Sequence, residues 1–275
     1  MIDTNILGLG DAEFLLSQLP EKSVHLIFTS PPYFNARPEC CQYDDYMSYL
    51  KKMQNVILCC RRVLSEGRYF ILNSSPVIIP RSKRNRSSKR LGIPFDLHQI
   101  IVDAGFDFID DVIWVKPEGA GCGRGRDFAR YRTPLHYKTV PITEYVMVYR
   151  KHTDKLLDWN IRNHPNQEAV MRSKIDGDYE KTNVWKIPPA TKSYHPAPFP
   201  LALAERIIRY YSIENDVVLD PFAGSGTTGT AAALWNRKFI LIEKKEEYFH
   251  QMRRDFRLIA HPIQFLSTES GGDDE

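Results

Sequence analysis

The sequence has few cysteines, and the five it has form no recognisable framework. They are Cys40, Cys41, Cys59, Cys60 and Cys122. No two of them are spaced as Cys-x-x-Cys, which argues against a zinc site, and the odd number argues against a set of paired disulfides. We therefore expect no metal, and a reducing, cytoplasmic setting.

Long apolar runs are also missing. No stretch approaches the roughly 20 residues of a membrane-spanning helix, and the N-terminus lacks the basic-then-apolar order of a signal peptide. The excess of charge is small, at +3, but it is local: residues 81–90 carry six basic side chains in ten, and residues 268–275 form an acidic tail that we expect to be flexible. A modestly basic body suits a polyanionic partner, although a solvated surface loop also explains the basic run.

What the chain does have is a regular alternation of strand and helix patterns. Short apolar runs predict strands, and apolar residues at helical spacing predict helices. The predicted strands are 24–28, 67–73, 108–116, 144–151, 216–220 and 238–243, and the predicted helices are 44–64, 94–106, 201–212 and 227–235. This order indicates an α/β fold with a doubly wound, mostly parallel, Rossmann-like sheet, in a single domain over residues 1–275. Long irregular segments interrupt it at 76–92, 117–142 and 152–190.

A glycine-rich turn, LDPFAGSGTTG at 219–229, joins a predicted strand to a predicted helix. Gly224, Gly226 and Gly229 form a Gly-x-Gly-x-x-Gly pattern, which lets a backbone approach a ligand. Glu243 ends the next strand, at the spacing at which an acid reaches a ribose hydroxyl. A dinucleotide site and an S-adenosylmethionine site share this layout, so the turn alone does not choose between them.

Asp220, directly before the turn, favours S-adenosylmethionine. A carboxylate at this position suits a ligand with a positive amino group, such as the methionine part of that cofactor. In a dinucleotide site the pyrophosphate lies beside the turn, and a carboxylate would repel it.

The segment FTSPPYF, residues 28–34, ends a predicted strand on two prolines and places aromatic side chains beyond them. Such a stiff polar rim suits methylation of the exocyclic amine of an extruded base. This amine is a poor nucleophile, because its lone pair is conjugated into the ring. The hydroxyl oxygen of Ser30 and the carbonyl of Pro31 could accept from its two N–H groups and so aim the lone pair. Tyr33 or Phe34 would stack on the base, worth roughly 1–3 kcal/mol, against the few kcal/mol that base extrusion costs. Taken alone, a proline-rich turn with core aromatics explains the segment equally well.

Three motifs together carry a family resemblance. TSPPY, HPAPFPLALAERII (195–208) and DPFAGSGTTGTAA (220–232) resemble the amino-methylating DNA methyltransferases, in the permuted order of the group called β. The likeness covers most of residues 5–250 and is weakest at 76–92 and 117–190. Such enzymes hold target recognition in segments of this kind, so the resemblance makes 76–92, 117–142 and 152–190 candidate DNA-contacting segments.

The resemblance implies roles for individual residues. Asp11 would contact the cofactor adenine, Glu243 the ribose, and Asp220 with the turn the methionine part. The full set of implied cofactor residues is Asp11, Thr29, His195, Phe199, Asp220, Phe222, Ala223, Gly224, Ser225, Gly226, Thr227 and Glu243. The implied catalytic residues are Ser30, Pro31, Pro32 and Tyr33.

Basic side chains in the irregular segments are candidate DNA contacts, because arginine binds phosphate and reads guanine edges. They are Arg84, Arg86, Lys89, Arg124, Arg126, Arg130 and Arg132. The resemblance further implies double-stranded DNA as the partner and a restriction–modification setting, in which a cognate endonuclease acts on the same site. The chain would act as a monomer or a homodimer.

Several alternatives stay open. Within the family, serine at the first position of SPPY is associated with methylation of the N4 amine of cytosine. The N6 amine of adenine also has a ring nitrogen beside it, so adenine stays an alternative. Methylation at cytosine C5 is disfavoured, because it needs a cysteine after a proline and no Pro-Cys dipeptide occurs. The glycine turn also allows a nicotinamide-dependent oxidoreductase, and the basic segments a non-catalytic nucleic-acid-binding module.

Overall fold

The computed structural model describes residues 4–34, 43–79, 83, 85, 87–120, 134–135, 139–177, 179–190, 194, 197–256 and 263–267. The strands are β1 (Asn5–Leu9), β2 (Val24–Thr29), β3 (Leu64–Ser74), β4 (Val77–Ile79), β5 (Lys89–Leu91), β6 (Phe106–Val115), β7 (Thr143–Lys151), β8 (Val184–Lys186), β9 (Val217–Asp220), β10 (Lys238–Glu243) and β11 (Ile263–Ser267). The helices are α1 (Ala12–Gln18), α2 (Tyr46–Val63), α3 (Ile93–Asp103), α4 (Trp159–Arg162), α5 (Gln167–Arg172), α6 (Leu201–Tyr211), α7 (Thr227–Leu234) and α8 (Glu246–Phe256).

Nine strands form one sheet in the order β11-β1-β10-β9-β2-β3-β7-β6-β8, and β4 with β5 forms a separate hairpin. The six strands from β11 to β3 are mutually parallel, whereas β7 runs antiparallel to both β3 and β6. The carboxyl ends of the parallel strands therefore meet the amino end of β7 at one edge. The predicted mostly parallel, doubly wound α/β sheet is confirmed.

The sheet separates two apolar cores. Helices α1, α2 and α3 contribute to one core, and α6, α7 and α8 contribute to the other. Successive residues of the central strand β2 alternate between them, since Ile27 belongs to the first core while Leu26 and Phe28 belong to the second. Both faces of these strands are covered, which explains why they read as continuous apolar runs rather than as alternating patterns.

Two of the segments expected to be irregular contain regular structure. The described part of 76–92 includes the β4–β5 hairpin, and 152–190 includes α4, α5 and β8. Strand β8 pairs with β6, and its Trp185 is buried against the ring of Tyr210. Five elements of the main sheet and its helices, β1, α1, β8, α8 and β11, are not among the predicted elements. No described helix is long and apolar enough to cross a membrane.

Candidate active site

The carboxyl ends of four adjacent strands form a continuous rim. In sheet order these strands are β1, β10, β9 and β2, and the residues at or just beyond their ends are Asp11, Glu243, the turn 221–226 and Ser30. Leu9 is the register partner of Glu243, and the N–H of Gly10 donates to the Glu243 carbonyl over 3.0 Å. Motifs that lie far apart in the sequence thus meet at the edge where open α/β sheets bind ligands.

Asp11 begins the rim. Its carboxylate caps α1 by accepting from the Glu13 N–H at 3.0 Å and pairs with the Lys52 ammonium at 2.7 Å. Burial raises the pKa of Asp11, but the hydrogen bond and charge of Lys52 outweigh burial and leave that pKa below its usual value. A ligand at this end of the rim therefore meets a stably ionised carboxylate with a fixed direction.

The glycines of the turn serve packing as much as ligand approach. Gly226 has a φ of 79°, and a Cβ there would lie 2.7 Å from a ring carbon of Phe256 on α8. At Gly229 a Cβ would lie 2.4 Å from a methyl carbon of Leu241 on β10. These two glycines are required because α7 lies close against α8 and β10, a reason the sequence pattern does not reveal.

Glu243 holds the turn in place. One of its carboxylate oxygens accepts from the Gly224 N–H at 2.9 Å, and the other accepts from the Lys245 N–H at 2.8 Å. Burial raises the pKa of Glu243, and the backbone hydrogen bonds act in the opposite direction. The acid expected to bind a ribose is therefore also the support of the neighbouring glycine turn.

Asp220 lies beneath the turn, and its side chain is 0% exposed. Its expected contact with the methionine part of the cofactor stays a prediction. One carboxylate oxygen accepts from the Thr29 hydroxyl at 2.7 Å and the Phe222 N–H at 3.1 Å, and the other accepts from the Thr228 hydroxyl at 2.7 Å. Because Thr29 directly precedes Ser30, Asp220 links the end of β2 to the glycine turn from beneath.

We expect Asp220→Asn to change how stability depends on pH. Burial, opposed by the two threonine hydroxyls, raises the pKa of Asp220 from 3.8 to about 6, so the folded chain binds this proton more tightly than the unfolded chain. The free energy of unfolding of the wild type, relative to the variant, is then greatest below about pH 4 and falls by up to about 3 kcal/mol as the pH rises through about 6. Urea unfolding of both proteins across this range measures the difference, and a constant difference would contradict the raised pKa.

The SPPY loop follows β2 directly beside this link. Pro31 is buried, and the side chains of Ser30 and Tyr33 are half-buried. The Tyr33 hydroxyl donates to Glu144 at 3.1 Å, and burial together with the Glu144 charge raises the pKa of Tyr33 well above its usual value. Phe34 instead packs against the rings of Tyr46 and Tyr49, which leaves Tyr33 as the better candidate for stacking on a base.

Sequence reasoning missed three polar residues behind this loop. Asn73 donates its side-chain N–H to the Ser30 hydroxyl oxygen at 3.3 Å and to a Glu144 carboxylate oxygen at 2.8 Å. Lys116 pairs with the other Glu144 oxygen at 2.5 Å. Asn73 and Glu144 are polar residues near the ends of the apolar strands β3 and β7. Polar residues in such positions are the sequence signal that could have identified them as site residues.

Several of the residues singled out from the sequence lie outside the described part of the chain. They are His195, Arg84, Arg86, Arg124, Arg126, Arg130 and Arg132. Of the others, Lys89 is exposed on β5, and the hydroxyls of Ser225 and Thr227 hydrogen-bond within the turn at 3.2 Å. The centre of the Phe199 ring lies 4.8 Å from that of the Phe28 ring. Phe28 is two residues before Ser30, so Phe199 packs beside the base of the SPPY loop.

Comparison with known proteins identifies the family. A family model described as DNA methylase, for N6- and N4-methylating enzymes, matches residues 24–254. The chain is an N6/N4 DNA methyltransferase. This family match excludes the nicotinamide-dependent oxidoreductase that the glycine turn had left open.

Individual relatives agree with this assignment. The type II methyltransferase M.ScaI of Streptomyces caespitosus is 31% identical over 257 residues, which cover 88% of this chain and 78% of that protein. TTHA0409 of Thermus thermophilus, described as a DNA modification methylase and solved with S-adenosyl-L-methionine, superposes with a TM-score of 0.71 at 28% identity over 98% of this chain and 100% of that one. The cytosine-N4-specific PvuII methyltransferase shares the fold, with a TM-score of 0.67 at 22% identity over 95% of this chain and 89% of that one.

The methyltransferase uses S-adenosylmethionine, and its rim fits that cofactor. Along the rim the order is Asp11, Glu243, the turn 221–226 and Ser30. The corresponding order in the cofactor is adenine, ribose and the methionine part with its methyl group, after which the acceptor base must follow. The two acids suit the adenine and ribose N–H and O–H groups, and the compact turn suits the methionine part.

Proposed function

We propose that this methyltransferase modifies the N4 amine of a cytosine extruded from duplex DNA. The observation that carries the proposal is the position of the Ser30 hydroxyl, at the methyl end of the rim and next to the glycine turn. In this family a serine at the first position of the motif is associated with cytosine as the target base. Adenine N6 has a ring nitrogen beside its amine in the same way, so the assignment to cytosine depends on that association.

The loop would supply orientation rather than covalent chemistry. Bound S-adenosylmethionine provides an electrophilic methyl group. The Ser30 hydroxyl oxygen and the Pro31 carbonyl would accept the two amine N–H groups, so that the nitrogen lone pair points at the methyl carbon. The new N–C bond would form as the bond between the methyl group and the cofactor sulfur breaks, which leaves S-adenosylhomocysteine, and the surplus proton of the nitrogen would pass to solvent. Tyr33, fixed through its hydroxyl, would stack on the base.

DNA would approach across the described basic side chains near the rim. Lys89 and Arg90 are exposed on the β4–β5 hairpin, and Lys181 and Lys186 are exposed around β8. Both places belong to the segments 76–92 and 152–190 proposed for DNA contact, and 117–142 is proposed on the same grounds. A restriction–modification role, with a cognate endonuclease acting on the same site, is part of the proposal because M.ScaI is a type II methyltransferase.

Nucleoside analysis tests the function. Mixed-sequence DNA is incubated with the protein and S-adenosylmethionine, digested to nucleosides and separated by chromatography with mass detection. We expect N4-methylcytosine, and Ser30→Ala serves as the control. N6-methyladenine as the main product would overturn the base assignment, C5-methylcytosine would overturn the amine mechanism, and no product at all would support a non-catalytic binding module.

A further inference from the structure

A charged pair lies behind the catalytic loop although no motif includes it. Glu144 is the second residue of β7, and because β7 runs antiparallel to β3 its first residues lie at the rim rather than at the opposite edge. Lys116 follows the end of β6, which meets the same edge. The side chains of Glu144 and Lys116 are only 14% and 22% exposed, so the pair is largely shielded from water.

Both oxygens of Glu144 are engaged. Lys116 donates to one at 2.5 Å, while Tyr33 and Asn73 donate to the other at 3.1 Å and 2.8 Å. Because an ionised carboxylate only accepts hydrogen bonds, the Tyr33 hydroxyl must point its hydrogen toward Glu144. For the same reason Asn73 must present its NH₂ group rather than its oxygen.

The orientation of Asn73 is imposed at a cost. Its NH₂ group also donates to the Ser30 hydroxyl oxygen at 3.3 Å, whereas its own oxygen is buried and has no partner among the described residues. The residue is 2% exposed, and a buried acceptor without a partner is unfavourable and uncommon. The carboxylate of Glu144 explains why the amide keeps this direction.

We propose that Glu144, paired with Lys116, is a positioning residue for the catalytic loop. It fixes Tyr33 directly and Ser30 through Asn73, on the side of the loop away from the glycine turn. Asp220 holds the same loop from the other side through Thr29. The inference rests on the proposed function only in taking Ser30 and Tyr33 as the groups that meet the base.

Glu144→Gln tests the need for the charge. Lys116 keeps the amide oxygen, so the new NH₂ group faces the NH₂ of Asn73 and the loop loses one or both anchors. We expect kcat to fall by about tenfold or more, since misplacement by about 1 Å costs up to about a hundredfold. The dissociation constant for S-adenosylmethionine should not change. A kcat within about twofold of the wild type would overturn the proposal.

Lys116→Met and Lys116→Arg separate a positioning role from a purely structural one. Without the ammonium one oxygen of Glu144 loses its donor, so the carboxylate can turn away from Tyr33 and Asn73. We expect kcat to fall while the dissociation constant for S-adenosylmethionine stays the same, and Lys116→Arg, which keeps a charged donor, should restore most of kcat. A kcat of Lys116→Met within about twofold of the wild type would contradict the proposal.

The chain contains a matched control pair. Lys155 pairs with Glu66 at 2.9 Å and lies over the ring of Trp159, as Lys116 lies over the ring of Trp114. Lys155→Met and Glu66→Gln remove the same kinds of interaction far from the loop, so they should leave kcat unchanged. If kcat also falls in these controls, its fall in the Glu144 and Lys116 variants reflects a general loss of ion pairs and not a positioning role.

Hydrogen exchange separates this inference from the proposed function. The amides of residues 33 and 34 should exchange faster in Glu144→Gln and in Lys116→Met at neutral pH than in the wild type, but not in the controls. If the wild type methylates no DNA, the proposed function fails while this measurement still reports on the loop. Unchanged exchange in both variants would overturn the positioning role even in an active enzyme.

Discussion

Ser30→Ala should lower kcat by about a hundredfold to a thousandfold, which is the usual effect of removing one oriented hydrogen-bonding group from a reacting centre. The variant loses the oxygen that receives Asn73 on one side and, in the proposed reaction, the amine N–H on the other. Transfer of labelled methyl groups to DNA measures kcat, and calorimetry measures cofactor binding. The affinity for S-adenosylmethionine should not change, because Ser30 lies at the end of the rim where the acceptor base binds.

Ser17→Ala is the matched control, since Ser17 is exposed on α1 and its hydroxyl donates to the Phe14 carbonyl at 2.6 Å within the same helix. This variant should keep wild-type turnover. A Ser30→Ala protein with full turnover would remove Ser30 from the chemistry. Equal losses of turnover and cofactor affinity would instead place Ser30 in the cofactor pocket.

Gly226→Ala should destabilise the fold by about 2–6 kcal/mol, because a left-handed φ and overpacking each cost about 1–3 kcal/mol. Gly226 has a φ of 79°, and the added Cβ would meet Phe256 at 2.7 Å and Met252 at 3.0 Å. Helix α8 or the turn must move, and the turn carries the expected methionine site. Urea unfolding should therefore show a lower midpoint, and calorimetry should show weaker cofactor binding.

Gly177→Ala separates strain from overlap. Gly177 has a φ of 82°, and a Cβ there would meet no described residue within 4 Å. It should cost only the conformational part, about 1–3 kcal/mol, and leave cofactor binding unchanged. Equal destabilisation by the two variants would mean that contact with α8 is not what requires glycine at 226.

The sequence was sufficient to predict the fold class and the two principal motifs. β2 and the strand before the glycine turn are both continuous apolar runs. Such runs predict buried strands. That the turn and the Ser30 loop are neighbours follows from β9 pairing with β2, which motif order alone does not state. The family resemblance supplied that step.

What sequence reasoning missed depends on the arrangement of elements in space. The sequence does not show that two threonines and a backbone N–H enclose the carboxylate of Asp220. Glu144 drew no attention, because only the reversed direction of β7 brings it to the rim. In both cases some partners of the carboxylate lie far away in the chain: Thr29 for Asp220, and Tyr33 and Asn73 for Glu144.

A crystal structure of the chain with S-adenosylmethionine bound tests the central claim most directly. The order of strand ends predicts that the adenine lies by Asp11, the ribose hydroxyls by Glu243, and the methyl group beside Ser30. A cofactor bound in the reverse direction, or away from this rim, would contradict the account of how the sheet edge arranges donor and acceptor.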